Sequence, residues 1–571
     1  MTKHSSHIFL FPFSFTGDFN TLACKAESEG SNWQKQDFNK NSADRYNQKV
    51  YFHDYAEDVL FRNDDTVRSY EFKDIGANGR YYIYIKEEKE NRLFDLTLAK
   101  ITLNVYNTHV GVLSFFLDNY STDNKEDILK INDYGRRIFP QFLTDSENPV
   151  LICRCNFLAL SITLAREVIP AEMITIPDPA ILGNDEAIIT YEDFNYYASF
   201  KTETENPTNS KHIKLANHII KILGEKIFCD ESGFNHGLIL IKPIIDDRMF
   251  VISGYVGDSI IHKLNKYTDG HYGYEQRDIN WVELSTNDIE RWSNNEVRYT
   301  DQDEIIRKDY DFWYRYIFID TNQATSQSFH QITKLIKKHT YDRWINWGTL
   351  YGVSRYSFVL LTSSQYEFDN KLNKHLTNLY FNIVLLCIVE RSSVLQFSER
   401  VSKASGFFDP KKITKAEIEK ISRLYYDYIN FINKIYLREI TAQEQGIELY
   451  DMLMEKMHIK LEVENLDNEI SELHTYVSMI EDRKRNIKMA DLNNMAVLFL
   501  PASLIATILG ISFISDNTSF DWLGKIDQKI ANSLILIGAG GLITSGLLWL
   551  LLNAGSYAKK ITSLFSKKLK P

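Results

Sequence analysis

Met495–Ile514 reads MAVLFLPASLIATILGISFI and Ser533–Leu552 reads SLILIGAGGLITSGLLWLLL. Neither 20-residue run contains Asp, Glu, Lys, Arg or His. At a rise of roughly 1.5 Å per residue, each helix reaches across about the 30 Å of hydrocarbon in a bilayer. The chain ahead of Met495 is polar enough to stay in water, so the sequence reads as a large soluble body hung on a two-helix membrane hairpin. Flanking charge orients that hairpin. Arg483, Lys484, Arg485 and Lys488 precede the first run, and Lys559, Lys560, Lys567, Lys568 and Lys570 follow the second. The 18 residues between the runs set only Lys525 and Lys529 against Asp516, Asp521 and Asp527. Cytoplasmic flanks collect Lys and Arg. The expectation is therefore a multi-pass protein of the inner membrane with both termini in the cytoplasm.

The rest of the composition suits an intracellular body. Of 571 residues, 44% are hydrophobic and 25% charged, and a net charge of −11 argues against a protein that coats nucleic acid, so no direct nucleic-acid binding is expected. The apolar stretch His7–Phe15 is too short for a secretory signal and lacks a basic flank. Five cysteines (Cys24, Cys153, Cys155, Cys229 and Cys387) imply no disulfide framework. The Cys153–Cys155 pair has a spacing that a metal can use. In the alternating LICRCNF it reads instead as two buried thiols on one strand face.

The expected fold class is an α+β cytosolic domain followed by a long helical stalk and two transmembrane helices. Residues 1–370 form the cytosolic α/β sensory domain, 371–490 the helical stalk, 491–554 the membrane hairpin and 555–571 a basic tail. In the first part HIFLFPF, RYYIYIK, LFDLTLAKITLNVY and VGVLSFFLDNY are rich in aromatic and β-branched residues, as strands are. A helix is predicted over Asn124–Phe142 and another over Ser210–Leu223. HGLILIKPII and RMFVISGYVGD read as a hairpin, and YRYIFID and YSFVLLT as further strands. Residues 265–310 carry no clear pattern. From Lys371 the pattern is helical, with LYFNIVLLCIV too short at 11 residues to add a third span. After a break at Gly406–Pro410 another helix is predicted through LYYDYINFINKIYLREI.

Val463, Leu466, Ile470, Leu473, Val477, Ile480 and Ile487 follow alternating steps of four and three, interrupted only by Lys484. Such a coiled-coil seam packs against a helix, either of the same chain or of a partner subunit. No Pro or Gly separates it from the first apolar run. Within that run Asn493, Ala496, Leu500, Ser503, Thr507 and Gly510 share one largely small or polar face. Polar atoms facing lipid are unfavourable, so this face meets protein or a water-filled lumen. The Gly538–Gly541 and Thr544–Gly546 clusters mark the second run as a packing helix. Two spans cannot enclose a channel, so a pore requires several subunits, and the seam gives them a reason to assemble.

The order of parts is similar to the CorA family of divalent-cation channels. Phe499-Leu500-Pro501 is followed, nine residues after the proline, by Gly510, at the spacing those proteins show before their Gly-Met-Asn. Here that tripeptide reads Gly510-Ile511-Ser512. The resemblance implies a pentamer with the first spans lining the axis, pore positions at Asn493, Leu500, Ser503, Thr507, Gly510 and Ser512, and a divalent cation in the pore. Ser512 lacks the amide that receives hydrated magnesium in the family. KEDILKINDYGRRIFPQF, WGTLYGVSRYSFVLL and NKIYLREITAQEQGIELYDML resemble segments of the large CorA-like membrane effectors associated with type III CRISPR systems. That likeness implies antiviral defence and gating by a nucleotide second messenger, an S-adenosylmethionine–AMP adduct. The alternative is a divalent-metal transporter of the same family.

An anionic nucleotide needs guanidiniums and a stacking surface. Arg136-Arg137 is one candidate, and Trp347, Arg355 and Tyr356, with Trp344 and Tyr351, form a second. Arginine pairing on a helix face and aromatic core packing explain both groups equally well. No P-loop, dinucleotide-binding glycine pattern, HExxH or Gly-x-Ser-x-Gly is present, so neither catalysis nor a tightly bound cofactor is expected.

Overall fold

A computed structural model describes residues 2–28, 31–36, 49–61, 65–73, 75, 79–86, 91–138, 157–163, 188–193, 215, 217–224, 226–229, 237–245, 248–266, 301–364, 368–405 and 414–514. The second apolar run, the loop aspartates, the lysine-rich tail and the Cys153–Cys155 pair lie outside the described residues. The chain divides into two compact units: Met1–Phe408 with Lys415–Ser471, and Asp409–Thr414 with Glu472–Pro571.

The first unit is built on strand β1 (Ser5–Phe15), which contains HIFLFPF. Nearly every residue of β1 is buried on both faces, the pattern of a strand covered from either side. Along the chain follow helix α1 (Phe19–Ala26), β2 (Trp33–Lys35), α2 (Asp54–Phe61), β3 (Val67–Phe72), β4 (Arg80–Lys86), β5 (Asn91–Tyr106), β6 (Val110–Asn119) and α3 (Lys125–Gly135). Next come β7 (Phe157–Thr163), β8 (Ile188–Asp193), α4 (Asn217–Leu223), β9 (Phe228–Cys229), β10 (Ile239–Pro243), β11 (Phe250–Val256) and α5 (Asp258–Lys266). After them stand α6 (Asp301–Phe318), α7 (Phe329–His339), β12 (Thr340–Tyr341), β13 (Thr349–Val353) and β14 (Ser357–Thr362). The sheet runs β12-β13-β14-β11-β1-β6-β5-β4-β7-β8. The pair β11/β14 is parallel, and the other neighbours along this path are antiparallel.

HGLILIKPII and RMFVISGYVGD do not form the expected hairpin. Both pair with β1, end to end along the same edge: β11 with Ser5–Leu10 and β10 with Phe13–Phe15. The gap falls at Pro12, whose carbonyl accepts from Ile244 N at 3.4 Å and so faces this edge. A strand residue directs its N and its C=O to the same side, and proline has no N–H to give. The other edge, against β6, stays paired through Pro12↔Val112. The chain therefore continues past the break in the same direction rather than turning back.

YRYIFID is also a correction. Tyr314–Phe318 is the end of helix α6, although its composition resembles a strand. Aromatic pairs four apart, Phe312–Tyr316 at 5.6 Å and Tyr314–Phe318 at 4.6 Å, mark the helical register. Packing of buried Trp313, Tyr316 and Ile317 into the core overrides strand propensity. Helix α3 is capped by Asn124, where the helix was expected to open, but stops at Gly135 rather than running on to Phe142. A side chain at Gly135 would collide with the Phe9 ring, so the helix end closes directly on β1.

Two π-helical turns, Phe368–Leu372 and Leu376–Tyr380, lead into α8 (Phe381–Ser405). Then follow α9 (Lys415–Lys434), α10 (Glu444–Lys456) and α11 (Ile459–Ile514). Helix α9 ends six residues short of the expected Ile440. Asn373–Ala404 is long and apolar enough to cross a membrane, yet 89% of its apolar window is buried inside the protein. It lies on the sheet against β1 and β6, with Phe116 and Phe381 ring centroids 4.8 Å apart. The unit built on the sheet thus takes in the helices from 371 to 471.

Replacing Leu386, fully buried on α8, by Ala is expected to cost about 2–5 kcal/mol in denaturant unfolding. Lys420→Ala, on an exposed side chain of α9, is expected to stay within about 0.5 kcal/mol.

Candidate functional site

The Arg136–Arg137 candidate sits where α3 ends. Asn124 caps the helix start by accepting from Glu126 N at 2.9 Å, and Gly135 on Phe9 ends it. The chain then turns along the sheet, with Met249 N donating to Arg136 O at 2.8 Å and Arg137 bridging Arg248. Both guanidiniums reach back one turn to Asp133 Oδ1, Arg136 Nη2 at 3.3 Å and Arg137 Nη2 at 3.0 Å. Arg136 Nη2 also donates to the Ile319 carbonyl, and the Thr321 hydroxyl donates to the second Asp133 oxygen.

Arg136 is 3% exposed. Burial lowers its pKa to about 10, with Arg248 and Arg137 adding to the fall and Asp133 opposing it, so it stays charged at neutral pH. Burial by itself would raise the pKa of Asp133. The two guanidiniums and the Thr321 hydroxyl reverse that, and the carboxyl lies below its ordinary value. Arg136 Nε is buried without a hydrogen-bond acceptor among the described residues. A phosphate arriving here must compete with Asp133 for both arginines. No motif in the sequence marks Asp133 or Thr321, although the three- and four-residue spacing from Asp133 to the arginines is visible there.

The aromatic candidates do not converge. Trp344 and Trp347 flank one end of β13, and Trp347 is 48% exposed. Arg355 and Tyr356 occupy the turn at its other end. Five residues of strand at roughly 3.3 Å each separate the two groups by more than one stacked base can bridge. Tyr351 between them is buried against Tyr380 at 5.3 Å. At the turn, Arg391 donates to the Arg355 carbonyl at 2.8 Å and lies over the Tyr356 ring.

Below the sheet surface lies a polar network the sequence did not announce. His7 Nε2 is 2.8 Å from Ser5 Oγ, and His7 Nδ1 is 2.7 Å from Asn132 Oδ1 and 3.2 Å from Ser253 Oγ. Tyr316 donates to Ser253 at 2.9 Å, and Asn119 to Ser5 at 2.9 Å. Hydroxyl, imidazole and amide stand in the order of a nucleophile, its base and an orienting group. All three residues have no exposed surface, so no substrate reaches Ser5. Burial lowers the His7 pKa to about 4, and the Asn132 contact opposes that only in part. The network ties β1 to α3, β11 and α6.

The pore candidates lie on α11, which is a single helix of 56 residues. Val463, Leu466, Ile470, Leu473 and Val477 of the seam are buried, whereas Ile487 is 55% exposed. Asn493 and Leu500 are exposed. Ser503, Thr507, Gly510 and Ser512 are helical in backbone, and their side chains lie outside what is described. Among the described residues no cluster of three His, Cys, Asp or Glu side chains is placed to hold a metal. Comparison with protein-family models, with curated proteins and with solved structures finds no match for the chain.

Asp133→Ala is expected to destabilise the protein by about 3–5 kcal/mol in thermal melts, because it leaves Arg136 buried without its carboxylate. The His7 shift gives a second expectation. The unfolded imidazole takes a proton near 6.5 and the folded one only near 4, so stability should fall as pH drops through that window. Comparing the melting midpoints of parent and His7→Gln across the window checks the assignment.

Proposed function

We propose that this chain is one subunit of an oligomeric CorA-like membrane channel. It acts as an antiviral effector of type III CRISPR systems and is gated by a nucleotide second messenger of the S-adenosylmethionine–AMP type. The observation that carries this reading is the make-up of α11. One helix bears the seam at its start and the first charge-free apolar run at its end. Ile487, Met489, Leu492, Met495, Val497, Phe499 and Leu500 on it are each at least 45% exposed in the single chain. So much apolar surface on one helix is unfavourable in water and suits neighbouring subunits and lipid.

In this reading five copies set their first spans around an axis. Asn493, Leu500, Ser503, Thr507, Gly510 and Ser512 line the lumen, and the second spans stand outside. Leu500 forms an apolar constriction that gates by dewetting. Arg136, Arg137, Trp347, Arg355 and Tyr356 are the candidate ligand contacts, as separate places rather than one pocket, since the strand Thr349–Val353 holds Trp347 away from Arg355 and Tyr356. Of these, Trp347 and Arg355 offer the most exposed surface. The nucleotide opens the pore only by binding the open form more tightly than the closed one. Opening would collapse the ion balance of an infected cell. Gly510-Ile511-Ser512 in place of Gly-Met-Asn weighs against the alternative, a constitutive divalent-metal transporter.

Ion flux from liposomes holding the purified chain tests this. Flux is expected only when an S-adenosylmethionine–AMP adduct is added. Divalent-metal flux with no nucleotide would favour the transporter. No flux from folded, oligomeric protein would overturn both and leave a membrane scaffold. Joint replacement Ser503→Leu and Thr507→Leu is expected to abolish flux while the oligomer persists on size-exclusion chromatography.

A further inference from the structure

Glu390 lies midway along α8 with none of its surface exposed. Its Oε1 accepts the Leu437 N–H at 3.0 Å, in the connector between α9 and α10. Tyr450 of α10 places its hydroxyl oxygen 3.1 Å and 3.3 Å from the two carboxyl oxygens of Glu390. The same hydroxyl lies 2.7 Å from the Leu437 carbonyl. A tyrosine hydroxyl has one proton to donate. The carbonyl, at the shortest distance, takes it. The contact between Tyr450 and Glu390 then needs a second proton, and the carboxyl is the group able to supply it.

With Glu390 neutral the ring closes. Leu437 N–H donates to Glu390, Glu390 donates to Tyr450, and Tyr450 donates to the Leu437 carbonyl, so each buried donor has an acceptor. With Glu390 ionised, Tyr450 must choose between a carboxylate and a carbonyl, and a buried acceptor loses its donor, which is costly. The titratable groups facing Glu390 are Cys387 on its own helix, Tyr436 of the connector and Tyr450 of α10. No charged side chain of β1, β6 or α9 acts on it among the described residues. Burial pushes the Glu390 pKa up to about 8, and the hydrogen bond from Leu437 N–H restrains it only in part.

We propose that Glu390 is a proton-operated latch: its neutral acid fastens α8, the connector and α10 together, and losing the proton to solvent under alkaline conditions loosens that joint. The joint leads directly to α11, which departs after the left-handed turn at His458 (φ 59°). No part of this requires the chain to conduct ions, so a flux assay and a proton titration fail independently.

The full chain in detergent tests the latch through Glu390→Gln. The amide can accept from Leu437 N–H and donate to Tyr450 without titrating. An unfolded Glu releases its proton near 4.5 and the folded one near 8. The contribution of the neutral acid is therefore complete below about 4.5 and is lost as pH rises to about 8. Over that window the folding constant of the parent relative to Glu390→Gln should fall about tenfold per pH unit and then level off. A ratio that does not change with pH, or a variant less stable than the parent above about pH 8, would overturn the proposal. Infrared spectra of the parent supply an arm that needs no folded Gln variant. A buried protonated carboxyl band should persist at neutral pH, vanish above about pH 8 and titrate at a different pH in Tyr450→Phe. Absence of that band at neutral pH refutes the latch.

Discussion

The antiparallel pairing of β1 with β6 is the constraint on which the first unit depends. It joins Ser5–Ser14 to Val110–Asn119 without a break, and both strands are buried on either face. A strand so placed needs partners on two edges and cover on two faces. The edges are filled by β6 on one side and by β10 and β11 in tandem on the other. One face receives α3, with α6 packed beside it on β14, and the other receives α8. β5 shows the same tandem arrangement, with β4 and β3 end to end along the edge that β6 leaves free. Each long strand thus sets the positions of two short ones.

Polar groups in this interior are organised around joints between elements. His7 with Ser5, Asn132 and Ser253 ties β1 to α3 and β11. Arg315 reaches from α6 to Glu126 at 2.7 Å and to the Asp320 carbonyl, holding the end of α6 against the start of α3. Asp133 gathers Arg136, Arg137 and Thr321. Glu390 gathers Leu437 and Tyr450. Isolated charges in such places are unfavourable, and closed networks compensate for them. These networks add orientation to layers that apolar packing alone would leave free to slide.

Much of this was legible in the sequence where a segment is decided by its own residues. The four aromatic and β-branched runs of the N-terminal part are strands, and the uninterrupted pattern from Val463 is one helix. Reading failed where a distant partner decides. YRYIFID has strand composition, but buried Trp313, Tyr316 and Ile317 commit it to a helix on the core. HGLILIKPII and RMFVISGYVGD form no hairpin because the edge they fill, that of β1, lies more than two hundred residues away in sequence. Arg136 and Arg137 were legible as a pair. Their burial was not, because it follows from Gly135 closing on Phe9. Trp347 and Arg355, close in sequence, are driven apart by the strand between them.

The tandem edge also has a history in time. β6 ends at Asn119, but the second edge of β1 waits for Val256. At a synthesis rate of about 5–20 residues per second, the delay after β1 is complete lasts roughly ten to fifty seconds. For that interval HIFLFPF presents an open, apolar backbone edge on the growing chain, the kind of edge that recruits unwanted strands. Pro12 lies on that edge and removes one of its donors. The same residue that splits the finished ladder is therefore also a missing donor on the edge of the nascent strand.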